Sequence, residues 1–267
     1  MSLTLKLCLG LDIAGKAYKH YHDYRELSAN DFYALIRERH IGTTSCVSIG
    51  DVTSEVRKWV DSYDILYLSF SSGISSSYQS SLIACQEIQE EYPNAKIIAL
   101  DTLSGSIGLG MLTYMAANYK AQGHNIDETA EYINSVKLNI CHYFIVDDLK
   151  FIQKTGRVSK TSAVVGTALG IKPLFRLSNE GKVDLVEKIR GKKASIAKLA
   201  SLANNNNTNH DIFFICHADA IDSAETLANG IKEKYPKAKI IINAVGPILG
   251  NNTGPGALAV IFYGAHR

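Results

Sequence analysis

Asp64-Ile65-Leu66-Tyr67-Leu68-Ser69-Phe70-Ser71-Ser72-Gly73-Ile74-Ser75-Ser76-Ser77-Tyr78-Gln79-Ser80 is the stretch that decides how the chain is read. Ile65 to Phe70 is a short, mostly apolar run of the kind found in strands buried within a parallel sheet. It stops at Ser71-Ser72-Gly73, after which Ser75 to Ser77 offer N-cap side chains to a helix carrying Tyr78, Leu82, Cys85 and Ile88. Strand, hydroxyl-rich glycine turn and helix start aim free backbone N–H groups and serine hydroxyls at one spot. The first N–H groups of a helix lack partners and its macrodipole is positive there, so the spot suits an anion. A capped helix after a tight turn, with no ligand, would read the same. The stretch by itself leaves both open.

On the N-terminal side, Leu3 to Leu9 reads as a strand and Lys16 to Tyr24 as a polar, aromatic loop or edge hairpin. Ser28 or Asn30 can cap a helix from Asp31 to Arg39, and the hydroxyl-rich turn His40 to Cys46 leads to a helix from about Asp51 to Ser62. On the other side come a strand from Lys96 to Asp101, a small-residue turn from Thr102 to Gly110, and a helix ending at Gly123. A helix starting at Asp127 and a strand from Cys141 to Val146 follow. Strands and helices alternate throughout, which predicts an α/β layer with a parallel sheet over residues 1–147. Ligands of such sheets sit beyond the carboxyl ends of the strands. Thr43 to Ser45 and Ser71 to Gly73 would meet there.

Residues 148–267 read as a second α/β domain with a mixed sheet. Asp148 to Gln153 is a short helix, Lys154 to Ser159 a basic glycine turn, and Thr161 to Leu169 a small-residue helix. Ile171 to Leu177 and Lys182 to Ile189 flank Asn179-Glu180-Gly181, a hairpin signature. A helix over Ala194 to Ala203, an asparagine-rich loop to Asn209, and a strand–helix–strand unit ending at Val245 come next. Gly246 to Gly256 reads as a glycine-proline loop before a last strand, Ala257 to Tyr263.

The chain's 267 residues allow two modest domains, and 46% hydrophobic with 20% charged residues is an ordinary globular balance. A net charge of +2 without a dense Lys/Arg block argues against nucleic acid. The five cysteines include no C-x-x-C pair, so neither a disulfide framework nor a zinc site is expected; they read as reduced core residues of a cytoplasmic protein. There is no signal-peptide pattern and no apolar stretch long enough to span a bilayer. Walker A, H-E-x-x-H and G-x-S-x-G motifs are absent, and the Gly-x-Gly fragments at 108–110 and 254–256 lack the dinucleotide spacing. No cofactor and no metal are expected. His217-Ala218-Asp219 reads as a strand-ending His before an Asp helix cap, or as a catalytic or metal-binding pair. Arg157, within the turn from Gly156 to Ser159, reads as a surface charge.

Eight motifs in order carry a resemblance. They are Thr43-Thr44-Ser45; Ser71-Ser72-Gly73-Ile74-Ser75 with Tyr78-Gln79-Ser80; Asp101-Thr102 with Ser104, Ser106 and Gly108; Lys154 with Gly156-Arg157-Val158-Ser159; Ile171-Lys172-Pro173; Arg190-Gly191; His217-Ala218-Asp219; and Thr253-Gly254-Pro255-Gly256-Ala257-Leu258. Together they resemble the DegV family, over nearly the whole chain. The resemblance implies a two-domain, cytosolic bacterial α/β protein that encloses one long-chain fatty acid. Some members are lipid-carrying subunits of a fatty acid kinase, presenting the carboxylate to a separate ATP-binding partner. It further implies that Thr44 and Ser72 hold the carboxylate with help from Ser45 and Gly73, that Thr253 and its loop, including Asn252, close the pocket, and that Arg157 lies at its mouth, near a phosphate or the kinase.

Three departures from the family pattern stand out. The usual opening strand, ending Asp-Ser-x-x-Asp-Leu, is missing; Cys46-Val47 replaces Gln-Pro; and Asn252 replaces a histidine. Asn can donate to a carboxylate but cannot become cationic.

A fatty acid fits the physical chemistry. A buried carboxylate must be well hydrogen-bonded, and hydroxyls from two turns plus a helix start offer that. Roughly a dozen methylenes at about 0.8 kcal/mol each contribute on the order of 10 kcal/mol before association costs. Ile74, Leu169, Ile171, Leu174, Phe175 and Ile248 are candidates for the tail's wall, and equally for plain core. The expected function is thus a non-catalytic fatty-acid carrier. The alternatives are a serine-based acyl or phosphoryl transferase, which needs a base near Ser72, and an interaction protein with a vestigial site.

Overall fold

The computed structural model describes residues 7–158, 170–208, 211–265 and 267. The chain opens with a hairpin, β1 (Leu9–Ile13) and β2 (Lys16–His20), turned at Ala14 and Gly15, both at positive φ. β3 (Thr43–Thr44) pairs with the other edge of β1 in a three-stranded antiparallel sheet. Between them, α1 (Ala29–Arg37) starts at Ser28, whose hydroxyl accepts from the Asp31 N–H, and buries Phe32, Tyr33 and Ile36. Ser48 caps α2 (Ile49–Val56) in the same way.

The deciding stretch folds into β4 (Ile65–Ser69) and α3 (Ser77–Glu91), with β5 (Ile97–Asp101) parallel to β4. Ile65 and Tyr67 pack on Val52, Val56, Ala84, Cys85 and Ile88 of α2 and α3. Leu66 and Leu68 pack on the opposite side, against α4 (Ile107–Ala121) and α5 (Ile126–Val136) through Leu112, Ala116 and Ile133. Helices on both faces are why this strand reads as an unbroken apolar run. The serines cap α3 only in part: Ser76, at the N-cap, makes no side-chain cap bond, whereas Ser75 Oγ accepts from the Ser77 N–H at 3.2 Å. Ser77 Oγ instead accepts from the Val47 N–H at 3.3 Å, and Ser76 Oγ donates to Cys46 Sγ at 3.3 Å, so the helix start is tied to the turn after β3.

The second sheet has six strands in the order β10-β9-β11-β6-β7-β8. Its elements are β6 (Ile140–Ile145), β7 (Ile171–Leu177), β8 (Val183–Arg190), β9 (Ile212–His217), β10 (Lys239–Ala244) and β11 (Leu258–Tyr263). The connecting helices are α6 (Leu149–Lys154), α7 (Lys192–Asn206), α8 (Ile221–Lys232) and α9 (Pro247–Thr253). β9 and β10 are parallel and the remaining pairs antiparallel, so the chain is an α/β protein with a parallel two-stranded sheet and a mixed sheet that contains the expected hairpin. β6 precedes residue 147 yet pairs with both β11 and β7. One face of this sheet packs Phe213, Val260 and Phe262 on Leu199 and Leu227 of α7 and α8. The other packs Ile140, Cys216 and Ile261 on the α4–α5 layer, joining the two halves in one apolar cluster.

Two loop expectations are corrected. Asn204 to Asn206 finish α7 rather than forming a loop. The glycine-proline segment contains α9: Pro247 stands in its first turn, where a proline's fixed φ and missing N–H do no harm. The expected helix over Thr161 to Leu169 lies outside the described residues. Arg267, for which the sequence suggested no role, is buried and donates to the carbonyls of Leu103, Lys137, Ile140 and Ser178 and to Ser104 Oγ.

Candidate functional site

The turn after β3, the start of α3, and α9 converge. Asn251 sets their spacing: its side chain accepts from the Gly42 N–H at 2.8 Å and donates to the Gly42 carbonyl at 2.9 Å, a paired amide clamp in a buried position. The neighbouring Asn252 is thereby carried to Thr44. Arg157 donates to Asn252 Oδ1 at 3.3 Å, which turns the Asn252 amide nitrogen toward Thr44 Oγ1 (3.5 Å) and the Ile248 carbonyl (2.6 Å). Arg157 is exposed, and its Nε donates to the Ile74 carbonyl at 3.0 Å. Ser45 is paired back to the first sheet, its hydroxyl accepting from the Gly10 N–H at 3.0 Å.

These groups border a cavity of about 1460 Å³. Thr44, Ser45, Ser75, Asn252 and Arg157 line one region, next to Phe70, Ile74, Ile248 and Leu249; from there the cavity runs along β4. Its carboxylates are Glu55 on α2 and Asp64 at the start of β4, so the hydroxyl and amide cluster has no acidic side chain of its own on the wall. His20 is also on the wall, and burial pushes its pKa below the ordinary histidine value, which favours the neutral ring.

Of the residues singled out from sequence, Thr44, Ser45, Ile74, Arg157, Ile248 and Asn252 line the cavity. Ser72 and Gly73, in the turn after β4, and Thr253, the last residue of α9, are not on its wall. Ser72 is exposed, with its N–H donating to Asp101 Oδ1 at 3.2 Å, and Thr253 Oγ1 donates back to the Leu249 carbonyl at 3.0 Å. Gly73 answers to packing: a Cβ there would stand 2.6 Å from the Glu180 carbonyl oxygen at the β7–β8 turn. Ser71 Oγ donates to the Gly181 carbonyl at 2.8 Å across the same contact. Leu174 and Phe175 are fully buried in two core clusters, Ile171 is half-buried away from the cavity, and Leu169 lies outside the described residues.

Sequence reasoning passed over Ser75 as a cavity residue and Asn251 altogether. The serine run reads locally as helix-capping chemistry, and an Asn clamp between segments 209 residues apart leaves no local signal. His217 is no partner for Ser72; its Nδ1 accepts from the Ala220 N–H at 3.2 Å, and Asp219 pairs with Arg37. Among the described residues no cluster of His, Cys, Asp and Glu could hold a metal, and no helix is long and apolar enough to cross a membrane.

The family model described as "Uncharacterised protein, DegV family" matches residues 7–265. A DegV domain-containing protein of Clostridium perfringens is 39% identical over 90% of this chain and 83% of its own length. The crystal structure of a fatty acid binding DegV family protein from Streptococcus agalactiae is 28% identical, with a TM-score of 0.83 over 96% of this chain and 89% of that one. A Streptococcus pneumoniae Fatty Acid Kinase (Fak) B3 protein loaded with linoleic acid shares the fold, with a TM-score of 0.84 at 20% identity over 96% and 90% of the two chains. The eight motifs, the paired sheets and a family match over nearly every described residue agree: the chain belongs to the DegV family.

Proposed function

We propose that this protein binds one long-chain fatty acid without itself catalysing a reaction, and presents the carboxylate to a separate ATP-binding kinase subunit. The observation that carries the reading is the graded cavity: hydroxyl and amide groups of Thr44, Ser45, Ser75 and Asn252 gather at one place, and apolar Ile74, Ile248 and Leu249 adjoin it. Such a gradient matches an amphiphile, because the carboxylate needs several donors once it leaves water and the tail supplies the driving force. Ser72 and Gly73 shape the adjoining turn, and Thr253 closes α9 behind Asn252. Arg157 holds the Asn252 amide in its donating orientation and stays exposed, as suits a contact with a phosphate or the kinase. The 28%-identical Streptococcus agalactiae protein, described as fatty acid binding, supports the same ligand class. A carrier of this kind works in the cytoplasm and needs no metal or cofactor.

The direct test is to denature the purified protein, extract it with organic solvent and analyse the extract by mass spectrometry. One near-stoichiometric fatty acid is expected. No lipid, from a protein that also fails to take up added oleate, would overturn the reading.

A further inference from the structure

Ser71, which follows Phe70 in the deciding stretch, is buried and has every polar group occupied. Its N–H donates to the Ser104 carbonyl at 2.9 Å, and its own carbonyl accepts from the N–H groups of Ile74 at 3.2 Å and Ser75 at 3.1 Å. Its hydroxyl oxygen accepts from the Gly73 N–H at 3.2 Å and donates its proton to the Gly181 carbonyl at 2.8 Å. Three of these five bonds run forward, to the residues that lead into α3. Of those, Ile74 and Ser75 stand on the cavity wall, and the Ile74 carbonyl holds Arg157. Neither Ser71 nor any residue of the hairpin turn from Ser178 to Lys182 is on that wall.

A serine hydroxyl rotates freely, so its direction is set by its partners. Here the proton is committed to Gly181 and a lone pair to Gly73, which ties the position of the turn to the β7–β8 hairpin of the other sheet. The contact leaves no slack. A Cβ on Gly181, whose φ is 68°, would stand 2.1 Å from Ser71 Oγ, and one on Gly73 would stand 2.6 Å from the Gly181 carbonyl oxygen. Arg267 fixes the hairpin tip in turn, one of its nitrogens donating to the carbonyls of both Ser178 and Leu103. Local capping would need only the bonds inside the turn; the bond to Gly181 leaves it. We propose that Ser71 and the tip of the β7–β8 hairpin are positioning elements of the head-group region: they set where Ser75 and the Ile74 carbonyl stand, and touch no ligand themselves. The inference rests on the fatty acid reading and gives that carboxylate site a support 110 residues away in the chain. A displaced donor matters most to an anion, which needs several donors once it leaves water, and least to a neutral head group.

The test compares oleate with oleyl alcohol, which carries the same tail under a neutral head, in calorimetric titrations from cyclodextrin. Ser71→Ala takes the donor from the Gly181 carbonyl and frees the turn; oleate affinity should fall at least fivefold and oleyl alcohol affinity less than twofold. Gly181→Ala, on the far side of the contact, should show the same pattern, and the double variant should lose no more than the worse single one. In the unaltered protein, oleate should slow amide hydrogen exchange at Gly181 and Lys182 more than in α8, because coupling between two sites is reciprocal. This last measurement stands even if the variants fold poorly. Parallel losses for acid and alcohol, unchanged oleate affinity in both variants, additive losses, or no excess slowing at Gly181 and Lys182 each overturns the proposal, and leaves the fatty acid reading in place as long as the unaltered protein binds oleate. An unaltered protein that binds no oleate overturns both.

Discussion

Two arginines show how differently one side chain is used in this molecule. Arg157 is exposed, bonds to two backbone carbonyls and one amide oxygen, and shapes the edge of a cavity. Arg267 is buried, bonds to four backbone carbonyls and a hydroxyl drawn from three distant segments, and meets no carboxylate among these partners. Burial pulls the Arg267 pKa down to about 10, still far enough above neutrality to keep it charged. The fork of five N–H donors is what lets a single residue serve so many carbonyls. Around Arg157 the protein spends the same donors on orienting Asn252. The lesson is that Arg267 holds the halves together and Arg157 holds a site open.

The strongest way to break the comparison is Arg267→Met. Each buried acceptor left without a donor costs about 1–3 kcal/mol, so urea denaturation should show a loss of several kcal/mol. Arg267→Lys should fall between the two, since an ammonium keeps the charge but has three donors on one atom. A wild-type midpoint for Arg267→Met would show that the cluster is decorative.

At the cavity, Ser75→Ala should weaken fatty acid binding by about 1–3 kcal/mol, the cost of a buried acceptor short of a donor. Ser72→Ala, away from the wall, should weaken it less. Calorimetric titration of both variants decides, and the reverse ranking would return the carboxylate to the Ser71–Gly73 turn.

His142 sharpens the buried side of the comparison. Burial, with the Arg267 charge adding to it, lowers its pKa to about 3. Between pH 6.5 and 3 the unfolded chain binds a proton that the native state refuses, so stability falls as pH falls across that window. The slope from this one group is about 1.4 kcal/mol per pH unit. His142→Asn should remove that part of the pH dependence in denaturation curves taken from pH 7 to pH 4, whatever it does to stability at pH 7.

The smallest effect is expected for Arg157→Ala: within about 0.5 kcal/mol in stability, as for other exposed positions, and little change in fatty acid affinity. Acyl-phosphate formation by an added fatty acid kinase should drop. A large loss of lipid affinity would instead make Arg157 a carboxylate ligand.

Much of the fold was legible from local patterns. The β4–turn–α3 unit, the β7–β8 hairpin and the Ser28 cap follow from apolar runs, turn residues and capping chemistry within a few positions. α9 was not legible, because Gly246, Pro247 and Gly250 signal a loop locally. Its helix is set by distant partners: the Asn251 clamp on Gly42, and Gly250 against Tyr33, whose hydroxyl would lie 2.6 Å from a Cβ at that position. The membership of β6 in the larger sheet was hidden for the same reason, since its partners are β11 and β7.

By itself, then, the sequence determined most strands and helices from β4 onward and the hydroxyl-rich turns that follow β4 and β5. Those features depend on hydrophobic period and on the chemistry of neighbouring residues. The opening strand, expected at Leu3–Leu9, is instead found at Leu9–Ile13, Thr43–Thr44 is a strand rather than part of a turn, and α9 was missed. Only the tertiary structure decided that Ser75 and not Ser72 borders the cavity, that Gly73 serves a hairpin 107 residues away at Glu180, and that β6 pairs with β11 and β7 in the larger sheet. Side-chain direction, close approach and strand pairing are set by partners far along the chain, and no local window contains them.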